Sequence, residues 1–187
     1  MSNTAEDSRH DPKRDAVLAA AVEVFGRYGF QKTSMEAVAK AAGISRPGLY
    51  LLFPNKEQLY RATMQGVMER AQQAMETCFA DTTRSPGERI VAALDALMGQ
   101  YVETQVARDL SELLENSGPQ LGSMFHDYQE KARATISAQL EALDLGADDV
   151  MDILFSAALT WKQTTATRAE FRDRVRRAVQ LIHRAAN

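Results

Sequence analysis

The stretch from Thr33 to Lys56 constrains this chain more than any other. It has the punctuation of two short helices that meet at a tight turn, Gly43-Ile44-Ser45. Thr33 and Glu36 have capping-box spacing, which predicts a helix starting at Ser34. Gly43 suits the left-handed position that ends a helix. Ser45 suits the cap of the next one, and Pro47 falls in its first turn, where N–H groups have no helical partner to lose. Two helices about a glycine-containing turn make a helix-turn-helix, whose second helix fits a DNA major groove.

The second helix has two distinct faces. Leu49 and Phe53 are four apart and form the inward pair. Arg46 and Tyr50 share another face, with Pro47, Gly48 and Leu51 beside them. A guanidinium can bond two acceptors on guanine, and an aliphatic carbon can meet a thymine methyl. Tyr50 can donate to a phosphate. Thr33, Ser34, Ser45 and Lys56 lie at helix starts, where hydroxyls, an ammonium and free N–H groups suit phosphate oxygens. On this segment alone, an ordinary buried amphipathic turn stays open as the alternative.

The likeness extends beyond one motif. Ala20–Phe30 resembles the end of the first helix of the TetR family of bacterial transcriptional regulators, and Thr33–Ala39 resembles its second. Ala42–Tyr50 is similar to the family's turn and recognition helix, and Phe53–Leu59 to the entry into its fourth helix. These segments cover roughly residues 12–65, in the family's order and spacing. Positions 51 and 52, often aromatic or polar in the family, are both leucine here. The resemblance implies an all-α protein of about nine helices. A helix-turn-helix unit over residues 11–56 (motif about 34–53) would follow a disordered tail at 1–10. An effector-binding and dimerisation domain would fill 57–187.

Charge gives modest support for a nucleic-acid partner. The net charge is −3, but residues 11–60 carry seven Lys/Arg against five acids, and residues 61–187 carry fourteen against eighteen. Local placement must therefore do what bulk charge does not. A lone Cys78 cannot form an internal disulfide, which fits a reducing cytosol, and no apolar run approaches the ~18 residues of a membrane span. The expectation is a cytoplasmic protein with no membrane association.

The rest of the chain also reads as helices. Helical spacing of Leu18, Ala21, Val22 and Phe25 predicts a first helix from about residue 12 to 28, ended by Gly29. Asn55 with Gln58 predicts a helix to about Cys78, and Ser85-Pro86-Gly87-Glu88 starts another. A short helix near 107–115, a breaker at 116–119, a long helix over 123–143 and a stop at Gly146 follow. Two more helices span about 148–165 and, capped by Thr167 with Glu170, 168–185. They carry the stripes Val150, Ile153, Leu154, Ala157 and Phe171, Val175, Val179, Ile182. Packing inside one chain would explain both stripes. The resemblance implies instead that the last two helices pair across a two-fold axis, which suits a DNA reader needing two half-sites.

Other chemistry is sparse in the sequence. His10, His126 and His183 lack metal spacing, no phosphate-cradling glycine loop or nucleophile–base motif occurs, and no cofactor is expected. Arg172, Arg174, Arg176 and Arg177 read as a solvated helix face balanced by Glu170 and Asp173. Met98, Tyr101, Met124, Phe125, Tyr128, Phe155 and Trp161 form a loose aromatic and methionine set. Spacing alone fits ordinary core, whereas the resemblance implies an effector pocket in this domain. An apolar or aromatic effector is expected, with no cationic clamp visible. The sequence-level reading is thus a dimeric, ligand-responsive repressor of a palindromic operator. Its rivals are a helix-turn-helix regulator controlled by a protein partner and a small all-α enzyme.

Overall fold

In a computed structural model that describes residues 11–102, 118–141 and 147–186, every regular element is helical. Three helices, α1 (Pro12–Lys32), α2 (Met35–Ala41) and α3 (Arg46–Leu52), precede the long α4 (Lys56–Ala80). Next comes α5 (Pro86–Leu97), which runs into a 3-10 turn at Gly99–Tyr101. The remaining helices are α6 (Gly118–Leu121), α7 (Met124–Glu141), α8 (Ala147–Thr164) and α9 (Arg168–Ala186). The expected tail at 1–10, short helix at 107–115 and stop at Gly146 lie outside the described residues. The breaker expected at 116–119 is corrected in part, since Gly118 opens α6. No described helix is long and apolar enough to cross a membrane.

Local sequence sets most of these boundaries. Asp11 accepts from the Lys13 N–H at 2.9 Å and Pro12 opens α1. Asn55 accepts from the Gln58 N–H at 2.8 Å, and Ser85 from the Glu88 N–H at 3.3 Å. At the end of α2, Gly43 has φ +65° and the N–H groups of Gly43 and Ile44 donate back to Lys40 and Ala39 at 3.2 and 3.0 Å. This pair of hydrogen bonds around a left-handed residue satisfies two carbonyls and turns the chain into α3. Gly29 marks a kink in α1 rather than its end: it leaves helical geometry at φ 71°, yet one more helical stretch runs to Lys32.

Two apolar cores are built on α4. The first gathers Val17, Ala21 and Phe25 of α1, Val38 of α2, Leu49 of α3, Phe53 just beyond it, and Leu59, Tyr60 and Met64 of α4. Tyr60 meets Phe25 edge-on at 4.9 Å between ring centroids and Phe30 at 5.0 Å. The second joins Met75 of α4 to Ile90 and Leu94 of α5, Ile136 and Leu140 of α7, Leu154 of α8, and Phe171, Val175 and Val179 of α9. At ~1.5 Å per residue, the 25-residue α4 extends about 37 Å and carries both cores. Tyr128 of α7 packs against both.

The expected two-fold seam needs a correction. Leu154, Phe171, Val175 and Val179 are buried inside this chain, so they are not available to a partner. A stripe that reads as a seam is here the inward face of an ordinary bundle. Val150, Ala157 and Ile182 are half-buried, whereas Ile153 is 61% exposed and Leu181, absent from the expected set, is 65% exposed.

On α5, the buried Asp95 receives Arg168 through Nε and an Nη at 3.0 and 3.1 Å. A Cβ on Gly99 would fall 2.1 Å from Asp95 Oδ1, so only glycine leaves room for this carboxylate. The arginine run is balanced as expected: Arg174 pairs with Glu170 at 2.8 Å, and Arg176 with Asp173 at 2.7 Å and Glu88 at 2.9 Å.

Candidate nucleic-acid interface and helical-domain cavity

The geometry of α3 begins with what it hides. Leu49 and Phe53 are buried in the core shared with α1, α2 and α4, and the Arg14 guanidinium sits 4.5 Å over the Phe53 ring. Anchoring one face this firmly fixes what the opposite face presents. Ser45 caps α3 by accepting from the Gly48 N–H at 3.2 Å. A Cβ on Gly48 would lie 3.1 Å from Ser45 Oγ, tight enough to disturb that cap. Arg46, Pro47, Tyr50 and Leu51 all face solvent, with Tyr50 40% and Leu51 87% exposed.

Arg46 is held loosely. Its guanidinium is 5.8 Å over the Tyr50 ring and 3.9 Å from Glu36 of α2, with both charged side chains largely exposed. Such a pair contributes little and yields easily to a better acceptor. Leu51 is the most exposed large apolar side chain described. Ser34 caps α2, accepting from the Ala37 N–H at 3.1 Å, and stays exposed.

Two residues expected at this face are occupied elsewhere. Thr33 is buried and donates to the Gly29 carbonyl at 2.7 Å, so Ser34 rather than Thr33 caps α2. Its hydroxyl ties the α1 kink to the start of α2. The Lys56 ammonium donates to the Phe30 and Gln31 carbonyls at 2.9 and 3.3 Å and lies 4.5 Å from the centroid of the Phe30 ring. It closes the carbonyl end of α1 against the start of α4. A lysine at the first position of a helix opposes the helix dipole, a sequence signal that this cation serves a neighbouring element.

In the helical domain, a cavity of about 60 Å³ opens between α5, α7, α8 and the 3-10 turn. Of the seven residues expected to form a pocket, Met98, Tyr101, Phe125, Tyr128 and Phe155 line it, and Met124 and Trp161 do not. Met124 instead packs against the first core and Trp161 against the second. Phe125 and Tyr128 stack at 6.2 Å. The Tyr101 phenol is pushed up to about 12, chiefly by burial and against the pull of Arg70. Burial pushes Tyr128 up as well, with Tyr101 adding to the effect. Sequence reasoning missed Leu97, Gln129, Ala132, Leu159 and Lys162 in this lining. Lys162 is the consequential one: it is only 7% exposed, and it supplies a cation where none was expected.

His126 and His183 are exposed, and no group of metal-ligating side chains is found among the described residues. Cys78 is half-buried, and burial raises its thiol, which opposes reactivity.

A family model described as bacterial regulatory proteins, tetR family, matches residues 17–63. Residues 17–63 thus carry the helix-turn-helix unit of the TetR family. The matched region runs from the first inward residue of α1 into the first turns of α4, which is the unit whose geometry is described above. The transcriptional regulator RutR of Escherichia coli K12 is 39% identical over 57 residues, which are 30% of this chain and 27% of RutR. The match thus spans about a quarter of that relative's length. Over the whole fold, a TetR-like transcriptional regulator from Rhodococcus sp. RHA1 superposes with TM-score 0.63 at 25% identity, covering 93% of each chain. A second Rhodococcus regulator reaches TM-score 0.75 at 16% identity, over 92% of this chain and 96% of its own. The TetR-family architecture therefore extends through the helical domain, where sequence likeness fades.

Proposed function

We propose that this chain is a sequence-specific DNA-binding transcriptional repressor of the TetR family that binds a palindromic operator as a homodimer and is released by a small-molecule effector. The observation that carries the DNA reading is the division of α3: Leu49 and Phe53 are locked inside, while Arg46, Tyr50 and Leu51 stand outside. In a major groove, Arg46 reads guanine, Leu51 meets a thymine methyl, and Tyr50 and Ser34 hold phosphates. One such helix contacts too few bases, so two copies related by a two-fold axis read two half-sites. The outward faces of α8 and α9, with Ile153, Ala157, Leu181 and Ile182, are the proposed seam in place of the buried stripe. Exposed aliphatic side chains on adjacent helices favour such burial.

The cavity supports the effector reading, because Tyr128 lines it and also packs against the core that holds α3. A ligand there acts on the shared packing. If it binds the DNA-incompetent arrangement about 100-fold better, it shifts the balance by about 2.7 kcal/mol. The test is titration of labelled duplex from upstream of the chain's own gene, against a scrambled duplex at the same salt. Preference for the native duplex that is lost with Arg46→Ala supports the reading. Equal affinity for both duplexes removes it.

A further inference from the structure

We propose that Glu36 and Arg46 act as a pair that reads one G·C base pair, Arg46 on the guanine and Glu36 on the cytosine. This rests on the DNA reading of α3 and deepens it to a second base-reading residue, on α2. Two helix starts meet at the outer face of the unit. The Arg46 guanidinium, at the first position of α3, lies 3.9 Å from a carboxylate oxygen of Glu36 in the first turn of α2. Both side chains are open to solvent, at 60% and 77% exposure. Their surroundings are firm: Met35, beside Glu36, and Leu49, three places beyond Arg46, are both buried in the first core. The two charges are therefore presented outward together.

Their spacing matches the groove edge of a G·C pair. Guanine offers N7 and O6 as acceptors there, and the cytosine beside it offers N4 as a donor. A guanidinium has five N–H donors, so Arg46 can give two to guanine and keep one for Glu36. A carboxylate only accepts, and takes the groove-facing hydrogen of cytosine N4. Guanine O6 and cytosine N4 are themselves one hydrogen bond apart, about 2.9 Å. Groups bonded to each of two such atoms stand about 3–4 Å from one another, by the same bond lengths. The observed 3.9 Å falls in that span.

Glu36 contributes mainly by exclusion. At an A·T pair, adenine still offers N7 to the arginine, but thymine turns its O4 acceptor toward the carboxylate, and two acceptors meet with no proton between them. Phosphates repel the same carboxylate, so binding weakens on any sequence that lacks the cytosine donor. A net charge of −3 supplies no general attraction to hide that penalty. An acid in the first turn also suits the dipole of α2, but that role is indifferent to the base opposite.

The experiment uses the full chain and the duplex that it enriches most from a random library, with affinities measured by fluorescence anisotropy at one salt concentration. The base pair to vary is the one at which Arg46→Ala loses its preference. It is made G·C, A·T, or guanine opposite N4-methylcytosine, which keeps its Watson–Crick pairing and replaces the groove-facing hydrogen with a methyl. Wild type is expected to bind G·C about 10- to 100-fold tighter than A·T, and to lose about 10-fold on N4-methylcytosine. Glu36→Gln has the same shape and can turn its amide N–H to thymine O4, so its preference for G·C over A·T is expected to fall to a few-fold. Glu36→Ala is expected to be indifferent to N4-methylation. Indifference of wild type to N4-methylation, which needs no variant to fold, overturns the pair and leaves Arg46 to read alone. Discrimination unchanged in both Glu36 variants does the same, and so does an Arg46→Ala chain that loses preference at no position. Absence of any enriched duplex overturns the DNA reading and the pair together.

Discussion

Lys56→Met separates two roles that the same lysine could hold. The Lys56 ammonium makes two bonds to carbonyls at 2.9 and 3.3 Å, the shorter partly buried and the longer exposed, and it faces the Phe30 ring. A buried charge-assisted bond contributes about 1.5–3 kcal/mol, and exposure reduces both of these. The expected loss is thus about 1–2 kcal/mol, with methionine retaining most of the stem packing. For a chain of this size each kcal/mol lowers Tm by about 2–4 °C, so a fall of about 2–8 °C is expected. DNA affinity at fixed salt should drop only as far as the α1–α4 contact loosens, and the slope of log affinity against log salt should not change. Calorimetry and fluorescence anisotropy at several salt concentrations measure both quantities. An unchanged Tm together with a salt slope reduced by about one would refute this reasoning and return Lys56 to the phosphates.

Other perturbations test the remaining parts. Arg46→Ala should cost about 1–3 kcal/mol on operator and relax preference at one base position, read from affinities for single-base variants. Ile153→Asp with Leu181→Asp should give a folded monomer by sedimentation and circular dichroism, since both side chains already face solvent. Val179→Asp should instead lower Tm sharply, because it buries a charge in the core at a cost of several kcal/mol. Gly99→Ala forces a Cβ to within 2.1 Å of Asp95 Oδ1 and should cost about 1–3 kcal/mol or more in thermal unfolding as the Asp95–Arg168 pair is displaced.

What the sequence disclosed follows from the range over which each signal acts. The caps at Ser45, Asn55 and Ser85, and the Gly43 turn, depend on residues within one helical turn, and the structure forms each of them. The inward pair Leu49 and Phe53 was legible because four-residue spacing fixes a shared face. The α8 and α9 stripes were not, since periodicity identifies an apolar face without naming what covers it. Val175 and Val179 meet their own chain rather than a second copy. The engagement of Lys56 and Thr33 within the chain was not legible because their partners, Phe30, Gln31 and Gly29, belong to the kinked end of α1, a long-range contact for the first and an unforeseen backbone path for the second. Lys162 looks in sequence like any helix-surface lysine, and only the convergence of α5, α7 and α8 shows it to be interior. Gly99 likewise follows from the position of Asp95 one turn earlier, which spacing hints at but only coordinates decide.

The central claim is that two copies of α3 read one duplex. Selection of bound sequences from a random duplex library by the wild-type chain, with the mass of the complex measured on the winner, tests it most directly. The account expects an inverted repeat with a guanine in each half that Arg46→Ala no longer enriches, bound by an even number of chains. Absence of any enriched sequence, or a single unrepeated site bound by one chain, would contradict it.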